Sequence, residues 1–229
     1  MQGTLLCARC LFSPHGEKDA ERLYQFVVAK DDDTFVKEII KKYSMYTLLR
    51  LISAKNKTEP FDLKVVEAYW IGNELLDSIT TDDLGLILKN YGRFSTRIDK
   101  LLFLNAKLGS TERLPAHHSV FVLLQMMDIK DVTPHLQEIN ASLIRWGTVQ
   151  AVHPDSLLVH AVCLTPEEKY ALGEQEETIA YDAAFAGEIK HGDIAAFHHG
   201  MAICPLSLLQ LAYLKRHTER TIAIFKKLE

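Results

Sequence analysis

The chain has 229 residues, 48% hydrophobic and 24% charged, which suffices for one large domain or two small ones with a proper core. A net charge of −4 argues against a general nucleic-acid binder, which carries a basic face. No apolar run approaches the roughly 18–20 residues that cross a bilayer, and no charged start leads into a long apolar stretch, so the sequence reads as cytoplasmic, without a membrane partner.

Apolar periodicity predicts helices through the first 140 residues. Leu23, Phe26 and Val27 fall three and four apart in the segment 19–30. Asp33 or Thr34 caps a second helix carrying Phe35, Val36, Ile39, Ile40 and Tyr43, read as running on through Leu48, Leu49 and Ile52. After the polar break 56–60, Asp62 opens "DLKVVEAYWIGNELLDSI", with Val65, Val66, Tyr69 and Trp70 on one face. "TTDDLGLILKNYG" reads as a short capped helix ended by Asn90 and Gly92. Further helices are expected over 94–105, 117–127 and 133–142, with Ser119 placed to cap the second of these.

Around Trp146 the period changes from helical to alternating. "WGTVQAVHPDSLLVHAVCL" predicts strand, turn and strand, with the turn at 153–156. The charged stretch 165–177 suggests a longer loop or hairpin. "TIAYD" follows as a strand, "GEIKHGD" as a turn, and "IAAFHHGMAIC" as another strand. Pro205 starts a final helix with Leu206, Leu209, Tyr213 and Leu214 on one face. The fold class is therefore α+β: a helical domain over 1–140, then a small β-barrel with a C-terminal helix over 141–229.

"GEIKHGDIAAFHHGMAI" resembles the signature of the small hydrogenase assembly chaperones of the HypC/HupF type. In that family a Gly-Asp turn leads a strand into His-x-Gly-x-Ala-Ile, and a C-terminal helix follows. Gly192, Asp193, His198, Gly200, Ala202 and Ile203 match it, and "GTVQAVHPDSLLVHAV" is similar to the family's first hairpin. The resemblance covers roughly the last 85 residues and implies carriage of the iron precursor of nickel–iron hydrogenase by a cysteine and the strand histidine. The cysteine stands five residues before the Gly of the first strand, which here is Ser142, counted back from Gly147. A serine hydroxyl is a poor iron ligand at neutral pH, so the resemblance implies partner binding without iron carriage. The whole chain also resembles an uncharacterised prokaryotic family sharing "VVEAYWIGN", "PAHHSVFVL" and "IRWG".

Two chemistries compete for the remaining motifs. Cys7-Ala8-Arg9-Cys10 has the spacing of half a zinc or iron–sulfur site; His15, Cys163 or Cys204 would have to complete it. Coincidence on an amphipathic helix explains the same spacing. His198 and His199 alternate on a strand, so they cannot both ligate a metal on one face. His198 is either a ligand or interface residue, or a buried histidine hydrogen-bonded to backbone. His117 or His118 could line a pocket with Tyr69, Trp70 and Asn73. Glu67 is the carboxylate whose burial would need a partner. No Ser-His-Asp signature, phosphate loop or His-Glu-x-x-His occurs.

The expected function is thus that of a non-enzymatic, chaperone-like accessory protein in nickel–iron hydrogenase maturation. Its partner would be the hydrogenase large subunit or a maturation protein. His198, Gly192, Asp193, Gly200, Ser142, Trp146 and Gly147 are the expected contact residues. The alternatives are a metal-binding (iron or zinc) or thiol-redox protein built on Cys7, Cys10 and His198, or a generic interaction module.

Overall fold

A computed structural model describes residues 1–12, 19–43, 45–80, 82–84, 114–126, 129, 131–167 and 170–228. The helix expected over 94–105 and residues 85–92 of the one expected up to Gly92 lie outside these residues, as does His15; the start of the latter is helical at 82–84. Five helices form the first layer: α1 (Gln2–Leu11), α2 (Ala20–Ala29), α3 (Thr34–Ile40), α4 (Met45–Asn56) and α5 (Leu63–Trp70). The single helix expected from Thr34 to Ile52 is broken between Ile40 and Met45. There Lys42 and Tyr43 donate to carbonyls three residues back, at 2.9 and 3.0 Å, so the α-helical ladder ends in a tight turn. Asp62 caps α5 as expected, its carboxylate accepting from the Lys64 N–H at 2.8 Å. Thr80 and Asp83 cap each other reciprocally, with Thr80 N–H on the Asp83 carboxylate and Asp83 N–H on the Thr80 hydroxyl.

Then come α6 (His118–Met126), a 3₁₀ turn Thr133–His135 and α7 (Leu136–Ser142), which delivers the chain to the barrel. Strands β1 (Arg145–Val152), β2 (Ser156–Leu164), β3 (Leu172–Ala180), β4 (Ile194–His198) and β5 (Met201–Pro205) close in the order β1-β2-β3-β5-β4. The one-turn helix α8 (Ala183–Ala186) lies between β3 and β4, and α9 (Leu208–Leu228) ends the fold. On β2, alternation places Leu157, Val159, Ala161 and Cys163 inside, while His160 faces solvent. β3 starts earlier than "TIAYD", because the polar residues Glu174, Gln175, Glu176 and Glu177 already pair with β2.

The stretch read as one strand carrying both histidines is a hairpin. His198 pairs with Met201, and His199 and Gly200 are the two loop residues, with φ of +49° and +75°. Two positive φ values in a two-residue loop suit the right-handed twist of a hairpin, and glycine supplies the second at little cost.

α9 starts at Leu208, not at Pro205, which still belongs to β5. Ser207 caps it through reciprocal bonds with Gln210. Leu208 and Leu209 consequently stand exposed, against the expectation for Leu209, and the buried stripe runs through Leu214, His217, Thr218, Thr221, Ile222 and Phe225. Of its polar members, Thr221 accepts from the Ser119 hydroxyl of α6 and donates to the His217 carbonyl. One apolar cluster extends from Cys7 and Leu23 through Trp70, Val120 and Phe197 to Phe225. Tyr24 of α2 reinforces the contact between helices and barrel by donating a short hydrogen bond to Asp182, and its ring stacks on Phe185.

Candidate functional site

The end of α7 meets the β4–β5 hairpin. A helix C-terminus leaves carbonyls without intrahelical donors. The Ala141 carbonyl accepts from the His199 backbone N–H at 2.7 Å. Two imidazole nitrogens approach the Ser142 carbonyl, His118 Nε2 at 2.8 Å and His198 Nε2 at 3.1 Å. The other ring nitrogen of His198 lies 2.7 Å from the Cys10 carbonyl, and His118 Nδ1 is 3.3 Å from the Tyr69 hydroxyl. Five separate parts of the chain (α1, α5, α6, α7 and β4) thus converge on one carbonyl and two rings. Trp70 closes the cluster, its ring 4.5 Å from His118 and 5.5 Å from His198.

The proton positions follow from the acceptors. Tyr69 donates to His118 Nδ1, so His118 carries its proton on Nε2 and gives it to Ser142. Burial lowers the His118 pKa to about 4, against a smaller upward pull from the Ser142 carbonyl. Burial also drives the His198 pKa well down, helped by the neighbouring His199 and His118 rings. His198 therefore stays neutral and has one proton for two carbonyls; the shorter contact assigns it to Cys10.

A second histidine pair lies deeper. His117 Nδ1 is 2.8 Å from the Ser119 hydroxyl, which donates to Thr221 Oγ1 at 3.0 Å; Thr221 in turn donates to the His217 carbonyl at 2.7 Å. His117 rather than Ser119 thus begins the polar chain at the head of α6. The His217 ring stacks between His117 and Tyr213, at 5.6 and 6.2 Å. It is 1% exposed, and neither ring nitrogen has a hydrogen-bond partner among the described residues. Burial lowers its pKa to about 4, and Arg216 adds to the effect. Gly72 makes room for it: a Cβ there would come within 2.3 Å of His217 Cδ2. Glu67 is satisfied, accepting from Gln210 at 2.5 Å and from Asn73 at 3.3 Å.

The expected contact residues separate into two ends of the barrel. Ser142, His198 and Gly200 meet at one. Gly192 and Asp193 lie beyond the other end of β4, where the Gly192 N–H donates to the Val149 carbonyl and the Asp193 carboxylate accepts from the Lys190 N–H. The five residue steps from Asp193 to His198 span about 16 Å of extended strand. Gly192 is exposed; Ser142, Asp193, His199 and Gly200 are half-buried; Trp146, Gly147 and His198 are buried. Gly147 sits where β1 approaches β2 so closely that a Cβ would fall 2.4 Å from the His160 carbonyl oxygen.

Cys7 and Cys10 lie on α1 and are fully buried. Burial pushes both thiols up, well out of the range in which a thiolate forms at neutral pH. Cys204 lies near Cys10 and Arg9 and is raised to about 11 by burial. Cys163 stands elsewhere, beside Arg145 and Glu177. Among the described residues no group of three or more His, Cys, Asp or Glu side chains is arranged to hold a metal ion. No described helix is long and apolar enough to cross a membrane.

Sequence reasoning missed two features near this site. Arg145, 6% exposed, makes a bidentate ion pair with Glu177 of β3. Asn140 of α7 binds both backbone groups of Leu164, at 2.9 and 2.7 Å, and so stands in for a neighbouring strand at the end of β2. A cleft of about 650 Å³ opens beside them, between α7 and β3.

Residues 2–229 match a family model described as a family of unknown function, DUF6390. The chain belongs to this family. Comparison with curated proteins and with solved structures returned no match. The DUF6390 match runs through helices, histidine cluster and barrel alike, so the Ser142 junction lies inside the span that defines the family.

Proposed function

We propose that the chain is a non-enzymatic, chaperone-like accessory protein of nickel–iron hydrogenase maturation, docking on the large subunit or on a maturation protein. The observation that carries this reading is the meeting of Ser142 and His198. These are the two positions that the likeness to the HypC/HupF-type chaperones pairs, and the His198 ring lies 3.1 Å from the Ser142 backbone carbonyl at one end of a five-stranded barrel followed by a long helix. Ser142 presents no thiolate, and the His198 ring is turned inward to backbone carbonyls, so the chain binds its partner without carrying iron. His198 serves as a positioning residue that fixes the half-open rim formed by Ser142, His199 and Gly200. The raised thiols of Cys7 and Cys10 favour neither a zinc site nor a redox couple.

Recovery of the tagged protein from its native cells tests this, read by mass spectrometry. The expected result is enrichment of a hydrogenase large subunit or maturation protein, reduced by Ser142→Tyr, which crowds the rim, with an unchanged melting temperature. Recovery of neither above an untagged control would overturn the reading.

A further inference from the structure

The barrel is closed unevenly. β3 pairs with β2 along all nine of its residues, but with β5 only at Ala180, opposite Met201. Among the described residues, the outer edge of β3 from Leu172 to Ile179 has no strand beside it. Such an edge presents a row of backbone donors and acceptors.

The 650 Å³ cleft lies against this edge. It is lined by Glu174, Gln175, Glu177, Thr178 and Ile179. Neighbouring strand residues point to opposite faces, so a cavity touched by consecutive residues wraps the strand's edge; on one face it reaches back to Arg145 of β1 and Cys163 of β2. Its far wall is Gln137 and Ala141 of α7 with Gly200 of the hairpin loop. The walled edge is about six residues, or ~20 Å, long, matching an extended peptide.

Charge selects the occupant. Glu167, Glu174 and Glu177 line the cleft, and among the described residues its one cationic lining residue, Arg145, is committed to Glu177 through both terminal guanidinium nitrogens. Exposed Glu176 adds a further negative charge on the same strand. A second copy of β3 would bring carboxylates against carboxylates, which disfavours self-pairing.

We propose that this groove takes an extended, lysine- or arginine-bearing segment of a partner protein, added to the barrel as a strand beside β3. Backbone hydrogen bonds to the edge would supply the pairing, and Glu174 and Glu167 the preference for cationic side chains. The inference does not depend on which partner the proposed function assigns.

The full chain is titrated with a fluorescent Lys-Val-Lys-Val-Lys-Val peptide. Parallel titrations use its Glu-Val counterpart and versions of the cationic peptide N-methylated at either set of alternate residues. The expected results are saturable binding below about 1 mM, at least about tenfold weaker with one N-methylated version, with the Glu-Val peptide and with Glu174→Lys protein. Slowed amide hydrogen exchange confined to residues 172–179 should accompany binding. Three outcomes would each overturn the proposal. Absence of saturable binding would make the acidic edge only a guard against aggregation. Equal affinity for all the N-methylated peptides would reduce the contact to electrostatics. A concentration-dependent dimer that protects β3 would make the occupant a second copy of the chain.

Discussion

At the scale of single residues, the Ser142 carbonyl shows how a helix end becomes a junction. The His118 Nε2–H and, one residue earlier, the His199 N–H satisfy α7 where it hands the chain to β1, with the His198 ring packed beside them. The "HHG" motif was conspicuous in the sequence, and a buried histidine bonded to backbone was among its readings. Its acceptors were not legible, because the Cys10 carbonyl lies 188 residues away and a backbone acceptor leaves no mark in a side-chain pattern. His217 was invisible for a related reason: nothing in "YLKRHTER" says that a histidine between charged neighbours points inward. Its unpaired nitrogens contribute nothing that an apolar side chain would lose. His217→Leu should therefore leave the unfolding free energy within about 1 kcal/mol or raise it, as measured by urea denaturation. A loss beyond about 2 kcal/mol would mean that a partner holds the ring. Gly72→Ala should cost about 2 kcal/mol or more in the same assay, since φ is +96° and the new Cβ meets the His217 ring at 2.3 Å.

At the scale of elements, the buried ion pair of Arg145 and Glu177 ties β1 to β3 across the barrel. Removing one partner strands a buried charge, so Glu177→Ala should destabilise by about 3 kcal/mol. The Arg145→Met, Glu177→Leu double variant should cost clearly less; equal losses would show that packing rather than charge is what the single variant removes. The histidine junctions set the acid response. His117, His118, His198 and His217 all have native pKa values lowered by burial, to about 4 for His118 and His217. The unfolded chain, with imidazoles near 6.5, binds more protons between those limits, so stability is full above pH 6.5 and falls as pH drops towards 4. The carboxylates held low, such as Asp33 and Asp182, lose their contribution only below about 4. Denaturation at pH 7.5 and pH 4.5 should differ by about 2 kcal/mol or more in favour of the higher pH; equal stability would mean that the junctions open or hydrate without cost. Helix positions were readable from period and caps, as Asp62 and the segment 19–30 illustrate. The break after Ile40 was not, because its apolar spacing continues in phase across it. β3 was read short because Glu174–Glu177 carry no apolar alternation: both their faces lie near solvent, and β2 pairing alone holds them extended.

At the scale of the whole molecule, the order helices, barrel, helix could be read from the change of period at Trp146. What could not be read is how closely the two halves are joined. Cys10, His118, Ser142 and His198 share one cluster, and the apolar core runs on from α1 to α9. Most of the barrel's motif residues are thereby committed inward, leaving the Ser142–Gly200 rim, the Gly192 turn and the β3 groove to meet a partner. The most direct measurement is a titration of the purified chain with a purified nickel–iron hydrogenase large-subunit precursor, followed calorimetrically. A one-to-one complex with a Kd of about 1 μM or tighter, formed without added iron, is the predicted result. No binding at about 100 μM, either with this precursor or with the purified maturation proteins titrated in the same way, would contradict the account.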